Sequence, residues 1–117
     1  MGEGLEYQYF DKLEKDVFIL VDDLREAENE ITPDNKDTIK GIIQKTIDRS
    51  QNLVDFSYKE ENEEFANLEL VGELTQLIDF LQDFCLNPIK KGELDDAESG
   101  IPEAIQKAEE IIEIMDE

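Results

Sequence analysis

The stretch FDKLEKDVFILVDDLREAENEI, residues 10–31, decides the fold. Phe10, Leu13, Val17, Leu20, Leu24, Ala27 and Ile31 recur within it at spacings of three and four, which puts all of them on one stripe of an α-helix. Nowhere does the chain sustain the period-two alternation of a half-buried strand, and its Gly and Pro residues fall mostly at the ends of periodic segments. The pattern predicts an all-α chain whose first helix spans about residues 5–30.

Working outward, Thr32 and Pro33 supply an N-cap residue and the proline favoured at a first helical position, with Asp34 and Asp37 near the positive helix end. A second helix is expected over about 33–56, carried by Ile39, Ile42, Ile43, Ile47, Leu53, Val54 and Phe56. Thr46 and Ser50 interrupt that stripe as small positions whose hydroxyls bond back to the preceding turn. Ser57 to Glu60 has the form of a capping box, which places a turn near 57–60 and starts a third helix over about 60–86. Val71, Leu74, Ile78, Leu81 and Cys85 hold its stripe, and Leu70, Leu77 and Phe84 widen it. Asn87 and Pro88 stop it. Residues 89–100 read as a loop, and Ile101, Ile105, Ala108, Ile112 and Met115 mark a last helix over about 101–117, with Pro102 near its start. Short connections make neighbours antiparallel, so the expectation is a single-domain antiparallel four-helix bundle over 1–117.

Charge then bounds function. The 117 residues include 32 Asp+Glu against 11 Lys+Arg and no His, for a formal charge of −21 at pH 7. Without His there is no imidazole metal ligand, no His general base and no His-activated nucleophile. The single Cys cannot form an intramolecular disulfide, and neither a leader-like segment nor an 18-residue apolar run is present, which points to a reduced, cytoplasmic setting with no membrane span. So dense a negative field repels nucleic acid and anionic lipid and attracts basic proteins. Salt adaptation is the competing explanation of such acidity; thirteen Ile to four Val, and nine Lys to two Arg, weigh against it.

Candidate chemistry is thin, and neither a cofactor nor a metal is expected. A helical di-iron site needs Glu-x-x-His pairs, and neither Asp34–Asp37 nor Glu93–Asp96 has the spacing of an EF-hand loop. Glu60, Glu61 and Glu64 match the first acidic element of an all-α, Mg²⁺-dependent nucleotide pyrophosphatase. The second element is missing, because Glu73 and Asp79 are each followed three residues later by Gln. Cys85 sits on an apolar stripe with no cation closer in sequence than Lys90 and Lys91, as a buried structural thiol would. Tyr7, Tyr9 and Tyr58 read as packing residues with wet hydroxyls.

Two surface features remain. Phe18 and Ile19 face away from the core stripe of the first helix, either toward a second bundle neighbour or as an exposed patch for a homodimer or partner contact. Opposite the apolar stripes of the last two helices lie Glu69, Glu73, Asp79 and Asp83, and Glu103, Glu110, Glu113 and Glu117. Like charges at i,i+3 or i,i+4 cost each helix a few tenths of a kcal/mol apiece, so stability alone does not favour them. Carboxylates repeating about 6 Å apart along a helix present a phosphate-like array to a basic cleft. In charge and size alone the chain resembles phage-encoded DNA mimics of the anti-restriction and anti-CRISPR type. That resemblance implies a non-enzymatic, protein-binding inhibitor that blocks the nucleic-acid-binding surface of a basic partner without touching nucleic acid itself. The rival expectation is an immunity, antitoxin or adaptor protein that binds a basic partner without such mimicry.

Overall fold

A computed structural model describes residues 2–66 and 68–116. Helix α1 (Gly2–Glu30) follows its stripe inward, with Leu13, Val17, Leu20, Leu24 and Ala27 fully buried. At the head of the stripe Tyr9, not Phe10, enters the core. Thr32 caps the next element as expected: its hydroxyl accepts the Asn35 N–H at 3.3 Å, and Pro33 opens a 3₁₀ turn (Pro33–Asn35) that leads into α2 (Lys36–Ser57). The Asn35 side chain donates back to the Glu30 carbonyl at 3.2 Å and closes the end of α1. Within α2 the buried Thr46 and Ser50 hydroxyls donate to the Ile42 and Thr46 carbonyls, both at 2.9 Å.

The capping box at Ser57 does not form. Ser57 is the last residue of α2, its hydroxyl donates to the Leu53 carbonyl at 2.9 Å, and the Tyr9 hydroxyl lies 2.7 Å from Ser57 Oγ. Turns therefore occupy 58–66, and the third helix starts at Leu68 rather than near 60. Asn62 organises those turns: it is buried, its side-chain amide donates to the Phe56 carbonyl at 2.8 Å, and its own carbonyl accepts the Phe65 and Ala66 N–H groups at 2.9 Å.

The third rod is continuous from α3 (Leu68–Leu81) through a π-helical turn (Gln82–Leu86) to a last α-turn, α4 (Asn87–Lys90). Pro88 explains the π turn. In an unbroken α-helix the N–H at 88 would meet the Phe84 carbonyl; proline has no N–H and its ring crowds that oxygen. The backbone widens, and the Asn87 N–H reaches back to the Gln82 carbonyl. One extra residue in a turn rotates the residues beyond it by roughly 100°, which turns Leu86, Pro88 and Ile89 inward and carries the rod past the expected stop at 86. Phe84, expected on the core stripe, is left 54% exposed.

After a turn at Gly92, whose φ of 80° suits glycine, α5 (Leu94–Asp116) begins well before the expected 101. Buried Ala97 continues the Ile101 stripe backward by one turn, and Asp95 and Asp96 sit at the positive helix end. Pro102 therefore lies inside the helix rather than at its start, on the exposed side where water can reach the Glu98 carbonyl it leaves unpaired. Gly100 is buried against the Phe84 carbonyl and the Cys85 sulfur, and a Cβ there would collide with that carbonyl oxygen.

Helix α1 packs on α2, α2 on α3, α3 on α5 and α5 on α1, closing a ring around one core. Contacts fit an antiparallel order throughout: Tyr9 meets Ser57 while Glu30 meets Asn35, Phe80 meets Lys107 while Phe84 meets Gly100, and Ile31 lies by Leu94 while Phe18 lies by Ile112. The result is an all-α four-helix bundle measuring 51 × 20 × 19 Å. Among the described residues there is no strand, and no helix is long and apolar enough to cross a membrane.

Candidate acidic interface

From Leu68 to Ile89 the third rod contains Glu69, Glu73, Asp79 and Asp83 and not one Lys or Arg. Residues 68–116 as a whole carry thirteen carboxylates against three cations, Lys90, Lys91 and Lys107. The first two stand at the end of the rod, where they answer the helix C-terminus. Lys107 lies 5.2 Å from the centre of the Phe80 ring. The ion pairs among the described residues are Lys12–Asp16, Lys15–Asp11, Arg49–Asp16 and Arg25–Glu109, so three of the four belong to α1 and α2. Glu73, Asp79, Asp83, Glu103, Glu110 and Glu113 have neither an ion-pair nor a hydrogen-bond partner among the described residues. Glu73 is half-buried, and Glu69, Asp79, Asp83, Glu103, Glu110 and Glu113 are exposed.

These carboxylates are not one flat array. Glu103 and Glu110, with Gln106 and Lys107, line the shallow recess of α5 that borders α3. Since Phe84 meets Gly100 and Phe80 meets Lys107, Asp83 stands near the level of Gly100 and Asp79 near that of Lys107. Glu113 turns to the other flank of α5. There it lines a groove of about 270 Å³ against α1, with Phe18, Val21, Asp22, Arg25 and Ile112. Glu117 lies outside the described residues. Phe18 and Ile19 are 47% and 39% exposed, so no second bundle neighbour covers them, and Phe18 forms the apolar wall of the groove that Glu113 rims.

Sequence reasoning missed the aromatic element of this face. The Phe80 and Phe84 rings stand 4.8 Å apart at 31°, with Lys107 over Phe80. The legible signal was Pro88, four residues beyond Phe84, which predicts a break in the ladder at that carbonyl.

Other candidates resolve by geometry. Glu60, Glu61 and Glu64 lie in the turns after α2, so the helical spacing that a Mg²⁺ clamp requires is not formed. Among the described residues no group of three acids or thiols is placed to hold a metal ion. Cys85 is fully buried; burial, with Glu103 adding to it, pushes its thiol up to about 12, so the nucleophilic thiolate is suppressed. Tyr9 does not have the wet hydroxyl expected of it. Its hydroxyl is buried on Ser57, and burial raises its pKa while the hydrogen bond partly offsets that. Tyr7 and Tyr58 are exposed rather than packed.

No protein-family model matches the chain, and no curated protein and no solved structure is similar to it. Fold and surface define an all-α bundle with most of its ion pairs on one side and a cation-poor acidic face on the other.

Proposed function

We propose that the protein is a non-enzymatic binder whose α3–α5 face occupies the basic, nucleic-acid-binding surface of another protein. The observation that carries this reading is a helical rod of more than five turns with four acids and no cation before its last residue. Lys at some of those exposed positions would relieve i,i+4 repulsion at no packing cost. The chain instead leaves Glu73, Asp79 and Asp83 without a partner among the described residues. Held on a rigid scaffold, they would gain from a Lys/Arg-lined cleft the Coulombic and counterion-release terms that nucleic acid gains there. Association would be fast and strongly salt-dependent. Phe18 on the adjoining α1–α5 groove, and the exposed Ile19 next to it in the chain, supply apolar contact of the kind that charge alone does not provide.

The test is capture from a lysate at low salt, followed by two perturbations of the main bound protein. Glu73→Lys/Asp79→Lys/Asp83→Lys is expected to release it, whereas the equal charge change Glu14→Lys/Glu26→Lys/Glu28→Lys on α1 retains it. A DNA or RNA duplex is expected to compete for the same protein. Retention by the α3 variant would refute the face; simultaneous binding of duplex and protein would refute the mimicry and leave an adaptor of a basic partner.

A further inference from the structure

The seam between α1 and α5 is open to solvent, and its lining has the spacing of a helix-docking groove. Phe18, Val21, Asp22 and Arg25 line it from α1, and Glu109, Ile112 and Glu113 from α5. Both sets recur at three and four, so each helix presents one continuous flank to the seam. Phe18, Val21 and Ile112 make the apolar floor of this groove of about 270 Å³, with space for aliphatic side chains. Phe18 stays half-exposed there although the core stripe of α1 is filled, so the bundle itself does not use it. The walls decide which apolar segment fits. Arg25 reaches across the seam to Glu109 at 2.9 Å and holds one end. Asp22 on α1 and Glu113 on α5 stand on opposite walls, and neither has an ion-pair or hydrogen-bond partner among the described residues. A second copy of the chain is the wrong occupant. A two-fold contact through this seam would set Asp22 and Glu113 against like charges, on chains that each carry −21.

We infer that the α1–α5 groove receives a basic amphipathic helix of the partner protein. Its aliphatic residues seat on Phe18, Val21 and Ile112, and the Lys or Arg residues flanking them meet Asp22 and Glu113. From Phe18 to Arg25 the groove offers about 10 Å of α1, roughly two helical turns. An amphipathic helix repeats its apolar residues at the same three- and four-residue spacing and can carry cations on both borders of that stripe. It therefore matches an apolar floor set between two acidic walls. Charge draws such a helix in, and the floor separates it from cationic segments that have no apolar stripe. This role rests on the basic partner proposed above and supplies the element by which that partner is told from other cationic proteins.

Two labelled peptides of equal charge test it by fluorescence anisotropy against the full chain at fixed salt. One is a fifteen-residue Lys/Ala helix with two leucines four residues apart, and the other is its parent with alanine at both sites. The leucine peptide is expected to bind roughly three- to tenfold more tightly. Proline placed between the leucines should abolish that preference, because it breaks the helix. Phe18→Ser, at an exposed site and with a thermal melt to check the fold, is expected to bring the leucine-to-alanine affinity ratio near unity. Asp22→Asn/Glu113→Gln should weaken the leucine peptide more than the equal charge change Glu14→Gln/Glu28→Gln does. The α3 variant Glu73→Lys/Asp79→Lys/Asp83→Lys, which tests the acidic face, should leave the ratio unchanged, so groove and face fail separately. A ratio unmoved by Phe18→Ser, or lost in the α3 variant, would overturn the groove as the apolar site. Equal effects of the two neutralised pairs would overturn its acidic walls, and undiminished binding of the proline peptide would overturn the helical occupant. A chain that sediments as a dimer until Phe18→Ser releases it would put a second copy in the groove instead.

Discussion

Cys85 has its sulfur in the core beside Gly100, where charge is poorly solvated, so the folded chain holds the thiol proton to about pH 12 against an ordinary value near 9. In that interval the unfolded chain has lost the proton and the folded chain has not, and stability contributed by the neutral thiol drains away as pH rises. The slope of a fully titrating site is about 1.4 kcal/mol per pH unit, and below pH 9 the contribution is complete. Urea unfolding of wild type and Cys85→Ala at pH 8.0 to about 10.5 should therefore show the wild-type advantage shrinking above about 9. Parallel curves would mean the thiol is not desolvated. The thiol's burial was legible from its place on a stripe. Tyr9 was not, because both it and Phe10 fit a 3/4 pattern ahead of Leu13. What selects Tyr9 is a hydroxyl partner 48 residues away, beyond the reach of any local periodicity. Phe84 was misplaced for the converse reason, a local backbone change that breaks the period.

At the scale of elements, the helices that periodicity defined best kept their cores, and the errors collect at their ends. Ends are set by single hydrogen bonds: Ser57 turned back to Leu53 instead of capping forward, and Asn62 took over the Phe56 carbonyl. Gly100 and Pro102 looked like the start of a helix because both residues are common at boundaries. They are instead an interior pair, glycine because α5 must approach the Phe84 carbonyl closely and proline because its site faces water. Substitution by alanine should therefore have opposite signs at two glycines. Gly100→Ala drives a methyl into backbone at the π turn and should cost about 1–3 kcal/mol. Gly41→Ala, at an exposed site in α2 with open space around it, should stabilise by about 0.5–1 kcal/mol. Denaturant midpoints decide it; a neutral or stabilising Gly100→Ala would remove the close approach as the reason for the glycine.

Over the whole molecule, composition sets the charge but not its arrangement, since which acids find cations depends on helix neighbours. Asp16 is served by Lys12 on its own helix and by Arg49 across the α1–α2 seam, whereas Glu73, Asp79 and Asp83 have no such partner among the described residues. Repulsion among unpaired surface charges is screened by ions, so the melting temperature should rise from low salt to about 0.5 M NaCl, where the Debye length is only a few Å. The two groups of acids should then respond in opposite ways. Neutralising Glu73, Asp79 and Asp83 relieves repulsion and should raise the low-salt melting temperature, each acid contributing a few tenths of a kcal/mol, with the gain fading as salt is added. Asp16→Asn removes the anion between two cations and should lower it. If the α3 neutralisation destabilised the bundle, those carboxylates would be part of its internal bonding. If it stabilises, the chain retains acids that weaken its own fold, which is the outcome that the proposed engagement of a cationic partner surface requires.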